Sequence, residues 1–207
     1  MTTLLRALRP TLLPLVLGLP LTVQAADDIP REDRHYVGLL ATALNHRSVG
    51  DGPEKKTWSN AATLVVGGHL TELFHAELRL GGGLSEGTLD DELSLDIEHY
   101  QSWYMGLHHP LTDYANIYGQ FGFTHVSGSA SLTKAGKARE DDPDDSSPYA
   151  DQTGDFPDSD FSVSWIVGAD LELAERTYLL VEGGRLFKDT GTGANSFQFS
   201  AGFRYEF

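Results

Sequence analysis

Residues 197–207 read FQFSAGFRYEF. Phe197, Phe199, Ala201, Phe203, Tyr205 and Phe207 share one parity, and Gln198, Ser200, Gly202, Arg204 and Glu206 share the other. Period two is the side-chain repeat of a β-strand, so one face of this segment is aromatic or small and the opposite face is mainly polar. Such a strand suits a soluble sheet with one buried face, and equally a sheet with one face in lipid. The choice depends on whether the chain supplies more strands of this kind, and on its compartment.

The first 25 residues bear on the compartment. Arg6 and Arg9 precede an apolar run from Leu12 to Leu21, and Val23-Gln24-Ala25 offers the small residues of a cleavage site, so residues 1–25 are expected to be a secretory signal peptide. Pro14 and Pro20 interrupt the run, which is too short to span a bilayer as a helix. Nothing after Ala26 approaches the roughly 18 apolar residues of a transmembrane helix. The signal carries no acid, so its removal takes the formal charge from 15 − 30 = −15 to 13 − 30 = −17. That balance argues against nucleic acid and against bare anionic lipid phosphate as partners. With no cysteine, neither a disulfide framework nor thiolate chemistry is available.

From His35 onward, segments with period-two patterning recur near residues 35–46, 59–69, 72–82, 94–107, 113–126, 160–173, 176–187 and 196–207. The connections after the second, fourth and sixth strands are short: Leu70-Thr71, His108 to Thr112, and Ala174-Glu175. Those at 47–58, 83–93, 127–159 and 188–195 are long and rich in Gly, Asp, Ser and Pro. An even strand count with alternating short turns and long loops is the pattern of an all-β, eight-stranded antiparallel transmembrane β-barrel.

A soluble eight-stranded barrel shares the count but has its apolar face inside. In the third segment Phe74, Ala76, Leu78 and Leu80 oppose His75, Glu77 and Arg79. In the fourth, Ile97, Trp103, Met105 and Leu107 oppose Asp96, Glu98, Ser102 and Gly106. In the fifth, Ile117, Phe121 and Phe123 oppose Asn116, Tyr118 and Gln120; in the sixth, Phe161, Val163, Trp165, Val167 and Ala169 oppose Ser162, Ser164, Gly168 and Asp170. Parity alone does not say which face is inside. An eight-stranded interior is just filled by side chains, and rows ending in Phe, Tyr and Trp fit the aromatic girdles of a bilayer, which favours apolar outside. His99, Gln101 and Arg185 fall on the apolar parity and require a bulge or an interfacial position.

Two features resemble the OmpA/OmpX-like family of small outer-membrane barrels. The phrases GGHLTELFHAELRLGGG, GLHHPLTDYANIYGQFGF and GADLELAERTYLLVEGGRL are similar to that family's periplasmic hairpins. The ending FRYEF, with Phe203, Tyr205 and Phe207, resembles its C-terminal assembly signal, read by the barrel assembly machinery. The resemblance covers residues 35–207, after a short periplasmic segment 26–34. It implies the outer membrane of a Gram-negative bacterium, contact with outer-membrane lipid and lipopolysaccharide, and a structural or surface-interaction role: membrane integrity, adhesion or ligand contact through the loops. The expected state is a monomer without a wide pore, and the loop partner is not named by the sequence.

Glu77, Arg79, Glu98, Asp170, Glu172, Glu182 and Arg204 have the parity for the interior, where unpaired charge is costly. Because Glu182 and Arg204 lie on neighbouring strands, an ion pair is expected between them. Residues 140–160 hold nine acids and no base, the composition of a solvated, mobile loop. Its Asp141, Asp142, Asp144 and Asp145 are candidate ligands for Ca2+ or Mg2+, although their spacing is not that of a dedicated calcium loop. His35, His69, His75, His108 and His109 map to the periplasmic rim, where water or headgroups would satisfy them.

An enzymatic alternative rests on His125 and Ser127 in FTHVSGSA, a His-x-Ser pair resembling that of the outer-membrane lipid A deacylases, with Ser as nucleophile and His as base. Gly128 departs from the Asn expected after that serine, and the following loop is longer. A narrow channel for small solutes is a further alternative. Ser131-Leu-Thr-Lys134 matches Ser-x-x-Lys, a motif that needs a helix start, which a barrel loop is not expected to provide.

Overall fold

A computed structural model describes residues 34–47, 55–159, 161–190 and 193–207, with Glu32. The expected signal peptide and nearly all of segment 26–34 lie outside the described residues. Among the described residues there are ten strands: β1 His35–Arg47, β2 Lys56–His69, β3 Phe74–Ser85, β4 Gly87–Leu89, β5 Leu93–Thr112, β6 Ala115–Leu132, β7 Gly154–Asp155, β8 Ser162–Ala174, β9 Thr177–Lys188 and β10 Asn195–Glu206. An α-helix, α1, covers Lys134–Glu140, and a short 3-10 turn covers Ala150–Gln152.

Eight of these strands form a closed antiparallel barrel in the cyclic order β1, β2, β3, β5, β6, β8, β9, β10, closed by the β1–β10 and β5–β6 pairings. Closure leaves the eight-strand ring without an edge, as lipid requires of a spanning sheet, and only the short β4 and β7 at the outer end pair on one side. The N–H of Phe207 donates to the carbonyl of His35 at 2.8 Å, and the N–H of His35 donates back at 3.1 Å, so the terminal residue completes the seam.

The short connections are 70–73, 113–114 and 175–176. The expected turn at His108 to Thr112 is instead strand, because β5 pairs with β6 down to Thr112. All four long connections are shorter than expected at one or both ends, because β1, β2, β3, β5, β6, β9 and β10 extend into them and β4 pairs with the outer end of β5.

Over the central part of the barrel the apolar parity faces outward. Leu39, Leu64, Val66, Leu78, Met105, Ile117, Phe121, Val167, Val181 and Phe203 are exposed, while Glu77, Arg79, Gln120, Asp170, Glu182, Gln198 and Arg204 are buried. A lower aromatic band holds Phe74, Tyr114, Tyr205 and Phe207; an upper one holds Trp58, Phe123, Phe161 and Phe199. This distribution matches burial in a bilayer rather than in water.

Above that belt the polarity reverses. Leu89, Leu93, Leu95, Ile97, Val126, Ala130, Tyr149, Phe156, Leu186 and Phe187 form an apolar cluster inside the outer end. Irregularities in the ladder accomplish the switch: the register shifts between Ile97 and His99, between Ser196 and Phe197, and between Asn60 and Ala61. An extra residue in one strand flips every following side chain to the other face. Hence Ile97, expected outside, is buried, and Glu98, expected in the lumen, is exposed at the bulge. His99 and Gln101 lie on the outer face just below the bulge, on the parity of Trp103 and Met105.

Candidate functional site

The lumen is filled in layers, each supplied by inward residues of several strands. In the central layer Arg79 of β3 donates from Nε to Glu77 Oε2 at 2.9 Å and from Nη2 to Gln120 Oε1 at 2.9 Å and Glu182 Oε2 at 3.1 Å; its Nη1 also meets Glu182 Oε1. The Tyr118 hydroxyl donates to Glu182 at 2.8 Å, and the Tyr36 hydroxyl donates to Glu77 at 3.0 Å. The Arg79 guanidinium also lies 5.3 Å from the centre of the Tyr104 ring. One cation between two carboxylates, each with further donors, satisfies the requirement that buried charge be paired and hydrogen-bonded.

The periplasmic layer centres on Arg204, whose Nη2 reaches Asp170 Oδ2 at 2.9 Å and Glu206 Oε1 at 3.2 Å, with the rings of Tyr36 and Tyr178 at 4.8 and 5.0 Å. Asn116 Nδ2 donates to Asp170 Oδ1 at 2.6 Å. The expected Glu182–Arg204 pair therefore does not form. Glu182 stands opposite Ser200, four residues from Arg204, which is about 13 Å along a strand. Glu182 instead pairs across the bore with Arg79, while Arg204 pairs with Asp170 two strands away and with Glu206 on its own strand. Glu172, near the β8–β9 turn, is half-buried rather than enclosed.

Three of the five histidines assigned to the rim are inside. His69, His75 and His108 are buried, with ring centres 5.1 to 6.2 Å apart. Gln120 fixes part of this cluster: its Oε1 accepts from Arg79, so its Nε2 donates to His75 Nε2, at 2.8 Å. His69 Nε2 lies 3.1 Å from Glu206. His35 and His109 are exposed. Sequence parity carried the signal for the three, since each follows the polar face of its strand.

Above the central layer, hydroxyls take over. Thr42 bonds Thr63 and Ser200 at 2.8 and 3.0 Å, Thr124 bonds Ser102 and Ser164 at 2.7 and 2.9 Å, and His46 bridges Ser196 and Ser59 at 2.8 and 2.9 Å.

The third long connection folds over this end, contrary to the expectation of a mobile acidic loop. Thr133 caps α1, its hydroxyl accepting from the Gly136 N–H at 3.3 Å, and Tyr149 and Phe156 are buried in the apolar cluster. Arg139 donates to Asp145 from Nε at 2.9 Å and to Glu92 from Nη1 at 2.8 Å. The hydrogen bond from Arg139 holds the Asp145 carboxyl below its ordinary range, and those from Ser147 and then Arg139 do the same for Glu92. Of the four candidate aspartates, Asp145 is thus engaged by Arg139 and Asp142 accepts from the Asp144 N–H at 3.0 Å; among the described residues no three acidic or histidine side chains gather where they could hold a metal ion. A helix does start at Lys134, but Ser131 lies on β6, so the Ser-x-x-Lys geometry of one helical turn is absent.

His125 and Ser127 lie on the outer face of β6 near its extracellular end, half-buried, with Ser127 Oγ 3.4 Å from His125 Nε2. The His125 ring packs 5.2 Å from that of Phe161. Phe203, Tyr205 and Phe207 are exposed on the outer face of β10.

Comparison with solved structures finds the same fold in small barrels of low sequence identity. The attachment invasion locus protein Ail of Yersinia pestis aligns with a TM-score of 0.53 at 12% identity, over 83% of this chain and 98% of Ail. Neisserial surface protein A aligns with a TM-score of 0.51 at 15% identity, over 84% of this chain and 97% of that one. OprG of Pseudomonas aeruginosa gives 0.51 at 11% identity, over 84% and 95%. A search of curated proteins finds no matching sequence. The family model described as outer membrane protein beta-barrel domain matches residues 11–207, nearly the whole length. With the outward apolar belt, the paired lumenal charges and the closed eight-strand order, that match makes this chain a member of the outer membrane protein β-barrel domain family.

Proposed function

We propose that the protein is a closed barrel of the Gram-negative outer membrane that acts through its surface, in a structural or adhesive role, and that it does not form a wide pore. The observation that carries this reading is the Arg79 cluster: Glu77, Gln120 and Glu182 converge on one guanidinium from three strands, with Tyr118 donating to Glu182, and they occupy the bore at mid-height. The folded third connection over the outer end adds a structured surface, rich in carboxylates, available to an extracellular partner. Both chain ends lie in the periplasm in this reading, and the outward face of Phe203, Tyr205 and Phe207 is open to the assembly machinery during insertion. Planar-bilayer recording of the refolded protein is expected to show no large, stable conductance steps; such steps would overturn the reading.

The His125–Ser127 contact supports one alternative, hydrolysis of an outer-leaflet lipid ester. At 3.4 Å the imidazole is near enough to take the hydroxyl proton, and the pair faces outward at the upper aromatic band. Incubation with lipopolysaccharide distinguishes the two: deacylated product that disappears in Ser127→Ala establishes the hydrolase, and no product leaves the surface role.

A further inference from the structure

The formal charge of −15 is not spread evenly over the barrel. At the outer end of four adjacent strands, Lys56 stands opposite Arg47, Arg47 opposite Asn195, and Asn195 opposite Lys188, so these residues form a single register row across β2, β1, β10 and β9. Three strand spacings make the row about 14 Å long. Lys56, Arg47 and Lys188 are exposed. Their direction is outward: Lys56 shares the parity of Trp58, the Arg47 guanidinium lies 4.9 Å over the Phe197 ring, and Lys188 regains the outward face because the β9 bulge at Leu186 and Phe187 shifts the alternation. Arg185 extends the patch below the row, opposite Trp165 and Phe197.

No carboxylate among the described residues pairs with any of these four cations, whereas the neighbouring Lys55 is held by Asp90. Among the described residues the exposed acids of the strands lie elsewhere, Glu98 on β5 and Asp155 on β7. Directly beneath the row sit Trp58 and Phe199, whose rings are 5.8 Å apart, and this upper aromatic band marks where hydrocarbon gives way to headgroups. Cations at that depth face the headgroup layer of the outer leaflet.

We propose that this row is a docking site for the phosphate groups of an anionic glycolipid in the outer leaflet. The length of the row matches a headgroup carrying more than one phosphate, with the Asn195 amide as a neutral donor between cations, and the aromatic band below it accommodates the first acyl methylenes. The acidic balance of the whole chain argues against such a partner only if charge is averaged; its segregation onto one flank removes the objection. The inference stands apart from the surface role proposed above, because it concerns the lipid-facing flank and not the loops.

The test uses the full refolded barrel in neutral detergent micelles and a fluorescent lipid A carrying two phosphates. The triple variant Lys56→Gln/Arg47→Gln/Lys188→Gln is expected to bind on the order of a hundredfold more weakly than the parent, from about a factor of five per cation. The charge-preserving Lys56→Arg/Arg47→Lys/Lys188→Arg variant should bind like the parent, and Lys134→Gln/Lys137→Gln, which removes exposed cations of the third connection, should change little. Lipid A stripped of both phosphates should bind the parent as weakly as the triple variant binds the intact lipid. Equal affinity of parent and triple variant, equal binding of the stripped lipid, or equally tight binding of phosphatidylglycerol would each overturn the proposal; a shift between heated and unheated gel mobility confirms that each variant is folded.

Discussion

Arg79 and Glu182 face each other from strands four apart in a ring of eight, so their contact spans the full width of the barrel. Each is almost wholly buried, and each has further partners: Glu77 and Gln120 for the arginine, Tyr118 for the glutamate. A bridge of this kind pins opposite walls together.

Replacing Arg79 by Met should therefore be severe, because it leaves Glu77 and Glu182 facing one another without a cation. The expected loss is about 3 to 5 kcal/mol. Urea unfolding in micelles, followed by gel mobility, measures it. Adding Glu182→Gln and Glu77→Gln to the variant should recover much of the loss; a triple variant as unstable as Arg79→Met would show that the arginine acts through packing alone.

Glu98 should tolerate substitution but not deletion. As the extra residue of the β5 bulge it is exposed, so Glu98→Ala is expected to lie within about 0.5 kcal/mol of the parent. Removing it would turn Leu93, Leu95 and Ile97 outward and Ser94 and Asp96 inward. Failure of the deletion variant to reach the heat-modifiable folded form is the expected result.

Gly81 should not accept even a methyl group. A Cβ there would meet the Tyr100 ring at 2.0 Å, and that ring carries a hydroxyl engaged with Thr63. Gly81→Ala must push Tyr100 out of its place, at a cost of about 1 to 3 kcal/mol. Pairing it with Tyr100→Ser, which frees the space, should make the added cost of the alanine nearly vanish in a double-mutant cycle.

The folded third connection should loosen in acid. The carboxyls of Asp145 and Glu92 are held below their ordinary range, so their contribution is complete above the unfolded carboxylate pKa and is lost as pH falls through the lower folded values. Hydrogen exchange across residues 133–152, read by mass spectrometry, is expected to accelerate below about pH 4 while the barrel strands remain protected. Arg139→Gln should show the faster exchange already at neutral pH.

Much of the barrel was legible because lipid imposes a strict rule on alternation. The strand around Phe74 to Leu80 and that around Phe161 to Asp170 could be assigned inside and outside correctly, residue by residue. The rule failed where its physical cause stops. Ile97 and Glu98 were misassigned because a single inserted residue reverses the parity, and nothing in a local window announces it. The acidic stretch after Glu140 looked mobile because its composition is polar, yet Tyr149 and Phe156 are enough to anchor it to the apolar interior of the outer end. Pairing of the lumenal charges was legible only as a need: parity placed Glu182 and Arg204 inside, but strand stagger, which sequence does not reveal, put them on different levels, so that Glu182 meets Arg79 across the bore and Arg204 meets Asp170 two strands away.

The Arg79–Glu182 bridge joins residues 103 positions apart along the chain. A half-built sheet would therefore leave the Glu182 carboxylate without its cation, and Arg79 with only Glu77 of its own strand, in whatever medium surrounds it during insertion. Such an intermediate is unwelcome in hydrocarbon, so the wall that carries Arg79 and the wall that carries Glu182 gain most by entering the membrane together, and seam closure becomes the step at which the molecule commits to its final state.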